Sequence, residues 1–153
     1  MSVAAAQLPH VDEHALVVAA DPETTWAALL RVVEGTVSAG SAPRLARILG
    51  CADTAAAGPR PLAAGSTLPG FHVALAGSPA ELVLAGSHRF SDYALIFRLD
   101  ALGDDRTRLR AETRARFPRF KGAVYRALVI GTRMHVLVTR RILTGVKRNA
   151  ERH

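Results

Sequence analysis

The chain has 153 residues, of which 49% are hydrophobic and 5% aromatic, as is typical of one globular domain with an aliphatic core. This hydrophobicity excludes an intrinsically disordered chain, and the single cysteine, Cys51, excludes an intramolecular disulfide and a cysteine-rich zinc site. The net charge of +7 is unevenly distributed: residues 106–153 contain 14 Lys/Arg and 2 Asp/Glu, whereas residues 1–105 contain 6 and 11.

The N-terminal residues 1–12 contain no basic stretch followed by a continuous apolar run. They therefore do not resemble a signal peptide, and a flexible terminus and a cytoplasmic location are expected. A short apolar run at 14–20 predicts the first strand, because a helix-start signal follows it directly. In this signal Asp21 takes the N-cap position, Pro22 the first helical position and Glu23 the first turn.

Two helices are predicted after this signal. The first covers 22–34, with Gly35 as its end. Its apolar side chains recur at i, i+3, i+4 and i+7 and form one face, which comprises Trp26, Leu29, Leu30 and Val33. The second is shorter, is capped by Ser41 and ends at Gly50. Its apolar residues are Leu45, Ile48 and Leu49.

A long loop is predicted over 51–70, because this segment is rich in Pro, Gly and small residues. A loop of this length in a compact domain is usually functional or mobile, and it could contain one short strand. Four further strands, separated by turn residues, are predicted at 71–76, 81–90, 93–100 and 107–117. In the first of them Phe71, Val73 and Leu75 alternate with His72, which is therefore expected at the surface.

The last of these strands has the clearest alternation. One face is predicted to carry Leu109, Ala111, Thr113, Ala115 and Phe117, and the other Arg108, Arg110, Glu112, Arg114 and Arg116. Such a pattern is typical of an antiparallel sheet with one face in water. Arg98 and Asp100 of the preceding strand are expected to form cross-strand ion pairs with this polar face, with Glu112 as a further partner.

Pro118 ends this strand, and a C-terminal helix is predicted over 120–149 with three stripes of residues. The first stripe is apolar and comprises Phe120, Val124, Ala127, Leu128, Gly131, Met134, His135, Val138, Ile142 and Val146. The second is basic and comprises Arg126, Arg133, Arg140 and Lys147. The third is apolar, lies away from the first, and comprises Tyr125, Val129, Val136 and Leu143.

These stripes bear on possible partners of the chain. The basic stripe is interpreted as a solvated face, since aromatic residues for base stacking are scarce, and nucleic acid is not expected as a partner. Arginines interrupt the apolar residues of the helix, which argues against a membrane span. If the third stripe is exposed, it could join two copies of the chain into a homodimer.

The order of the predicted elements resembles the helix-grip fold of the START-related superfamily, which includes polyketide cyclase/dehydrase, lipid-transport and birch-pollen-allergen-like proteins. The resemblance covers nearly the whole chain, and it is carried most specifically by VVAADPETTWAALL (17–30) and RFPRFKGAVYRALVIGTRMHVLV (116–138). The second of these resembles uncharacterised bacterial branches of the superfamily.

The resemblance implies a single α+β domain of order β-α-α-β(4 or more)-α, in which a curved antiparallel sheet wraps around the C-terminal helix. It also implies a cavity between sheet and helix that takes an apolar or amphipathic small molecule. The chain departs from the superfamily in having five clear strands instead of six or seven. The path of residues 51–70, and with it the mouth of the cavity, is therefore left open.

Motifs for catalysis or phosphate binding are absent: the sequence contains no GxSxG, P-loop, GxGxxG or HExxH and no close cluster of metal ligands, so no metal or cofactor is expected. Candidate ligand-binding residues come from two elements that the resemblance brings together. The strands offer Leu84, His88, Tyr93 and Phe97, and the helix offers Leu128, His135 and Val138. His88, His135 and Tyr93 would supply the few oriented polar groups that apolar ligand sites contain; packed or half-exposed side chains are the alternative.

Three functions are compatible with these residues. The leading hypothesis is the binding, transport or sequestration of a small hydrophobic ligand. The second is a cofactor-free cyclase or dehydratase in which His135 or His88 acts as general acid or base, so that enzyme activity is left open. The third is an interaction module that uses the basic face or the third stripe of the C-terminal helix.

Overall fold

The computed structural model describes residues 5, 7–38, 40, 42–88, 91–116 and 123–152; the side chains of 49, 88 and 123–135 lie outside that description. Within these residues the chain forms β1 (His10–Val18), α1 (Pro22–Val37), α2 (Ala42–Leu49) and β2 (Thr67–Leu68). The remaining elements are β3 (Phe71–Gly77), β4 (Glu81–His88), β5 (Ser91–Gly103), β6 (Arg106–Arg116) and α3 (Ala123–Glu151). The predicted α+β class and element order are thus confirmed.

The described strands form one antiparallel sheet in the order β1-β6-β5-β4-β3-β2. Its inner face, which α1 and α3 cover, carries the main core cluster, including Leu82, Leu84, Leu95, Phe97, Leu109 and Ala111. The outer face carries a smaller cluster that includes Val83, Ala94 and Ile96. The alternation predicted for β6 is confirmed for the described positions, since Leu109, Ala111, Thr113 and Ala115 are all buried.

The N-terminal segment, expected to be flexible up to residue 12, is part of this architecture. β1 begins at His10, four residues earlier than predicted, and it ends at Val18. Before it, Ala5 and Leu8 are buried against the outer-face cluster, and the amide of Ala115 donates to the carbonyl oxygen of Pro9 (3.0 Å). The segment therefore covers apolar residues of the outer face, which a pattern within the segment could not indicate.

The start of α1 is as predicted, and its end is not. The Asp21 carboxylate accepts a hydrogen bond from the Thr24 amide (2.7 Å), which satisfies one of the free donors of the first turn. Gly35, expected to end the helix, lies inside it, and α1 continues to Val37 with Ser38 as its C-cap. The extra turn is stabilised because Val37 is buried in the core.

The segment 42–70 also follows the prediction in outline. α2 ends at Leu49, and the next residue, Gly50, has a φ of 71° in the left-handed region that glycine adopts without strain. The long loop contains one short strand, β2, which pairs with Phe71 and His72 of β3. Ser41, the predicted N-cap of α2, lies outside the described residues.

β3 differs from the alternation that the sequence predicts. Val73 belongs to the inner-face cluster, but Leu75 packs on the outer face with Ala74. A shift in the pairing with β4 between Val73 and Leu75 causes this change of side, as a β-bulge does. His72 is exposed, as expected.

The C-terminal half of α3 lies against α1 and β1. A Cβ built on Gly145 would lie 3.0 Å from Val32 Cγ1, and Lys147 Nζ donates to the carbonyl oxygen of Val17 (3.1 Å). The buried residues of this half are Thr139, Ile142, Leu143, Val146 and Ala150. Ile142 and Val146 confirm the predicted core stripe, whereas Val138 of the same stripe is 38% exposed.

Leu143 shows that the third stripe is covered within the chain at its C-terminal end. It is 3% exposed and belongs to the main core cluster. Of the other residues of that stripe, Val136 is partly buried, and the side chains of Tyr125 and Val129 lie outside the described residues. Leu143 is therefore not available to a homodimer contact, and the homodimer itself stays a prediction.

Candidate functional site

The strand residues predicted to bind a ligand lie on the inner face of β4 and β5. Cross-strand pairing places Leu82 opposite Phe97, Leu84 opposite Leu95, Gly86 opposite Tyr93, and His88 opposite Ser91. Leu84, Tyr93 and Phe97 therefore share one face, which is apolar in the middle of the sheet and more polar at the end that holds Tyr93 and Ser91.

The exposed fraction of these side chains differs between the middle of the sheet and the end that holds Tyr93. Leu84 and Phe97 are each 0% exposed, so neither side chain contacts a space large enough for water. Tyr93 is partly exposed. Solvent thus reaches the Tyr93 end of the sheet, and Leu84 and Phe97 lie deeper in the core.

Tyr93 is held in place by residues from the long loop and from β3. Its hydroxyl donates a short hydrogen bond to the carbonyl oxygen of Gly70 (2.5 Å) and lies 3.8 Å from Cys51 Sγ. Its ring meets the edge of the Phe71 ring with centroids 5.3 Å apart and planes at 78°. Gly86 makes room for the ring, because a Cβ at this position would lie 2.7 Å from Tyr93 Cε2.

The start of the long loop closes this end of the sheet. The amide of Ala52 donates to the carbonyl oxygen of Ser87 (3.1 Å), and the amide of Gly70 donates to that of Asp53 (2.7 Å). The Asp53 carboxylate lies 3.2 Å from His72 Nδ1. These contacts hold the residues after α2 beside Tyr93. Sequence patterns do not indicate them, because they join segments that are not periodic.

The environment of Tyr93 decides which chemistry it can perform. Burial raises the pKa of its hydroxyl above the ordinary value of 10, and the neighbouring Cys51 and Asp53 raise it further. The phenol therefore keeps its proton at neutral pH, donates it to Gly70 and cannot serve as a general base. Acid–base chemistry at this end would need a group other than Tyr93.

The histidines proposed for that role and one apolar residue lie outside the described side chains. His88 is in β4, and Leu128 and His135 are in the first half of α3, but only their backbone is described. α3 begins seven residues after Arg116, which pairs with Asp92, and it ends where Glu151 accepts a hydrogen bond from the Ala19 amide (2.8 Å). The chain thus leaves the sheet at the end that holds Tyr93 before it enters α3, and the passage of the first half of α3 over this end stays an expectation from the resemblance.

A groove beside α1 was not predicted from the sequence. It is an open groove of about 840 Å³ between α1, the loop around residues 60–63 and the β3–β4 turn. Its apolar lining includes Trp26, Leu30 and Leu62. Arg60 forms an ion pair with Glu34 at this groove and also donates to the carbonyl oxygens of Ala57, Pro59 and Thr67. The loop is therefore tied to α1 and to itself by one side chain.

Two observations concern partners and ions. No helix in the described part of the chain is both long and apolar enough to cross a membrane. Among the same residues, no three His, Cys, Asp or Glu side chains lie close enough together to hold a metal ion.

Comparison with known proteins identifies the fold. No family model and no curated protein matches the sequence. The structure resembles truncated norcoclaurine synthase from Thalictrum flavum (TM-score 0.62, 14% identity, 96% of this chain and 98% of that chain). It also resembles the Zhui aromatase/cyclase from Streptomyces sp. R1128 (TM-score 0.61, 18% identity, 95% of each chain).

A third similar structure is a point mutant of the Thalictrum synthase in complex with a transition-state analogue (TM-score 0.57, 14% identity, 96% of this chain and 99% of that chain). At these identities the likeness shows the fold alone. The helix-grip fold expected from the resemblance to the START-related superfamily is confirmed.

Proposed function

We propose that the chain binds a small hydrophobic or amphipathic molecule between the inner face of the sheet and the first half of α3. The observation that supports this proposal is the partly exposed Tyr93 at the end of an otherwise apolar inner face. An apolar surface with a few oriented polar groups at one end is typical of small-molecule sites. That a protein of the same fold holds a transition-state analogue is consistent with such a site.

In this proposal each predicted residue has a role set by its place. Leu84 and Phe97 are fully buried in the core behind the site, so they support its inner limit and do not contact a ligand in this conformation. Tyr93 and His88 lie at its polar end, where the Tyr93 hydroxyl donates its one proton to Gly70 and offers its oxygen to a ligand as an acceptor. Leu128, His135 and Val138 approach from α3, with Val138 at the solvent-exposed margin.

The proposal is tested first by asking whether the purified protein carries a ligand. Native mass spectrometry should show a mass that organic solvent removes. Emptied protein should then bind 8-anilinonaphthalene-1-sulfonate, an aromatic amphipath whose fluorescence rises in apolar surroundings. Failure to bind either a copurified compound or this probe would contradict the proposal.

Variants then locate the site. Tyr93→Phe keeps the ring and removes the hydroxyl that holds Gly70 at this end of the sheet, so we expect the dissociation constant of the probe to rise several-fold, by about 1 kcal/mol of binding free energy. Arg60→Gln serves as the matched control, because it alters the groove beside α1 and leaves Tyr93 unchanged. A loss of binding in Arg60→Gln together with unchanged binding in Tyr93→Phe would place the ligand in the groove instead.

Trp26 provides an independent readout, since it is the only tryptophan of the sequence and it lines the groove. An aliphatic ligand that binds at the Tyr93 end should leave the emission wavelength of Trp26 unchanged. A shift of that emission at saturating ligand would indicate contact in the groove and would contradict the proposed location.

A further inference from the structure

The surface of α2 is unusual in what it exposes. Leu45 is 50% exposed and Ile48 is 63% exposed, although their spacing of three residues places them side by side on the helix. Ala46 is buried at 4%, so α2 attaches to the domain by its opposite side. Leu45 and Ile48 are thus two large apolar residues of α2 that face solvent.

The same exposed surface is positively charged. Arg44 and Arg47 are exposed, and within the described residues their side chains take part in no ion pair or hydrogen bond. Residues 35–52 contain no Asp or Glu, and Glu34, the nearest acid before them, is already paired with Arg60. The chain as a whole carries a net charge of +7. α2 therefore presents leucine and isoleucine beside free arginines, with no carboxylate to compensate them.

We propose that α2 docks on an anionic lipid surface. A helix that lies in the membrane interface buries its apolar side chains at the boundary of the acyl chains and keeps basic side chains at the headgroups. Leu45 and Ile48 provide the first part of this arrangement, and Arg44 and Arg47 the second, because each arginine near an anionic leaflet is attracted to it. The association would be peripheral.

A second copy of this chain fits the same surface less well. In a symmetric contact through α2, Arg44 and Arg47 of one copy would face the same arginines of the other, and like charges would oppose association. An anionic lipid surface supplies the opposite charge together with an apolar layer. Charge complementarity therefore favours the lipid surface.

The position of α2 in the fold links this surface to the Tyr93 end of the sheet. Gly50 ends the helix, and the next residue, Cys51, lies 3.8 Å from the Tyr93 hydroxyl. A chain docked through α2 would bring this end of the sheet close to the lipid surface. Docking does not require the ligand site proposed above, so each can be tested without the other.

The test is flotation of the purified protein with vesicles of phosphatidylcholine alone and of phosphatidylcholine and phosphatidylglycerol in equal parts. We expect binding to the anionic vesicles only, and weaker binding as salt screens the arginines. The double variant L45S/I48S should lower the partition coefficient about tenfold, because it removes the apolar contact. The variant R44Q/R47Q should lower it several-fold.

Two matched control variants distinguish docking through α2 from nonspecific binding to vesicles. Leu137→Ser changes another exposed leucine (65% exposed) on α3, and R140Q/R141Q removes the same number of charges from exposed positions of α3. Both should bind nearly as the unaltered chain does. Circular dichroism melting curves establish that each variant is folded, and the surface variant R44Q/R47Q still decides the question if L45S/I48S does not fold.

Several results would overturn the proposal. They are no binding of the unaltered chain to anionic vesicles, equal loss in R140Q/R141Q and R44Q/R47Q, or full binding by folded L45S/I48S. A dimer in light scattering that L45S/I48S converts to monomer, without vesicle binding by the unaltered chain, would assign α2 to self-association instead.

Discussion

The arginine partners of Glu112 were predicted from the sequence, but its burial was not. The alternation of β6 predicts it as a partner of the arginines, and this is confirmed: its carboxylate lies 2.8 Å from Arg98 Nη1, 3.0 Å from Arg114 Nε and 2.7 Å from His10 Nδ1. It is nevertheless 6% exposed, a burial that the pattern of a solvated face does not indicate. Burial alone would raise the pKa of Glu112, but hydrogen bonds from Arg98 and His10 and the charge of Arg114 outweigh it and lower the pKa to about 2.

Because the pKa of Glu112 is lowered in the folded state, its ionised form stabilises the protein above the ordinary pKa of 4.5. This contribution is lost as the pH falls from 4.5 toward 2. We therefore expect Glu112→Gln to lower the free energy of unfolding by about 2 kcal/mol at neutral pH. On acidification, this variant should lose less stability than the unaltered chain. Urea denaturation at a series of pH values measures both effects.

Glu81→Gln is the control for this prediction, because Glu81 also pairs with Arg98 but is more exposed (side chain 27% exposed, against 8% for Glu112). Glu81→Gln should lower the free energy of unfolding by well under about 1 kcal/mol. Parallel pH curves for Glu112→Gln and the unaltered chain would show that Glu112 does not provide the acid-sensitive stability.

Gly86 is the second residue whose role only its surroundings reveal. A Cβ at this position would lie 2.2 Å from the carbonyl oxygen of Gly70, a backbone atom that cannot rotate away. Gly86→Ala should therefore destabilise the fold by about 3 kcal/mol and disturb the Tyr93 hydrogen bond to Gly70. Chemical denaturation measures the first effect.

Gly77→Ala is the matched substitution in the neighbouring strand, since its Cβ would meet Glu81 only at an ordinary distance of 3.6 Å. It should cost less than about 1 kcal/mol. Equal stability of the two alanine variants would contradict the close approach of Gly70 to β4.

At the scale of elements, α1 shows that a glycine within a helix can be mistaken for its end. Gly35 has no atom within 4 Å of the position its Cβ would take, and it lies in the interior of α1. Gly35→Ala should therefore stabilise the protein by about 0.5–1 kcal/mol, because alanine has the higher helix propensity. A rise in melting temperature checks this.

Gly40→Ala is the opposite case. Gly40 has a φ of 60°, where alanine is strained, and this substitution should lower the melting temperature. If Gly35→Ala also lowered it, the continuation of α1 through Gly35 would be wrong.

α3 shows how tertiary packing selects among the stripes of a helix. Leu143 is 3% exposed and Leu137 is 65% exposed, although both belong to one helix of similar composition throughout. Leu143→Ala should destabilise the fold by about 3 kcal/mol, whereas Leu137→Ala should change stability by less than about 0.5 kcal/mol. Urea denaturation and light scattering together measure stability and association state. If Leu143→Ala dissociated a dimer without lowering stability, Leu143 would lie in a dimer interface and not in the core.

At the scale of the whole molecule, one cluster of buried residues joins α1, α3 and the sheet, and Trp26 (7% exposed) belongs to it. Because these elements share one core, we expect a single cooperative unfolding transition. Trp26 fluorescence, which reports on α1, and far-UV circular dichroism, which reports on all elements, should then have the same midpoint in urea. Separate midpoints would show that the chain is not one cooperative domain.

The parts of the fold that were predicted correctly are those with local causes. The start of α1 depends on Asp21 and Pro22, which lie within its own first turn, and the faces of β6 depend on a strict alternation within one strand. The ion pair between Arg110 and Asp100 follows from two such alternations side by side (2.7 Å). In each case the determining residues are neighbours along the chain or across one ladder.

The candidate site was predictable only in part for the same reason. Strand periodicity places Leu84, Tyr93 and Phe97 on one face, as the pairing of β4 and β5 confirms. The hydrogen bond from Tyr93 to Gly70 could not be foreseen, since it joins a strand to a turn 23 residues away. Which of these residues contact a ligand stays a prediction.

By itself the sequence determined the element types, the order of the fold and the face of each regular strand, because caps, turns and periodicity act over a few residues. The tertiary structure decided the side on which Leu75 lies, the burial of Leu143 and Glu112, the closure beside Tyr93 and the exposure of α2. These features depend on which distant surfaces meet, and the free energy of that contact outweighs the local preference of any single segment.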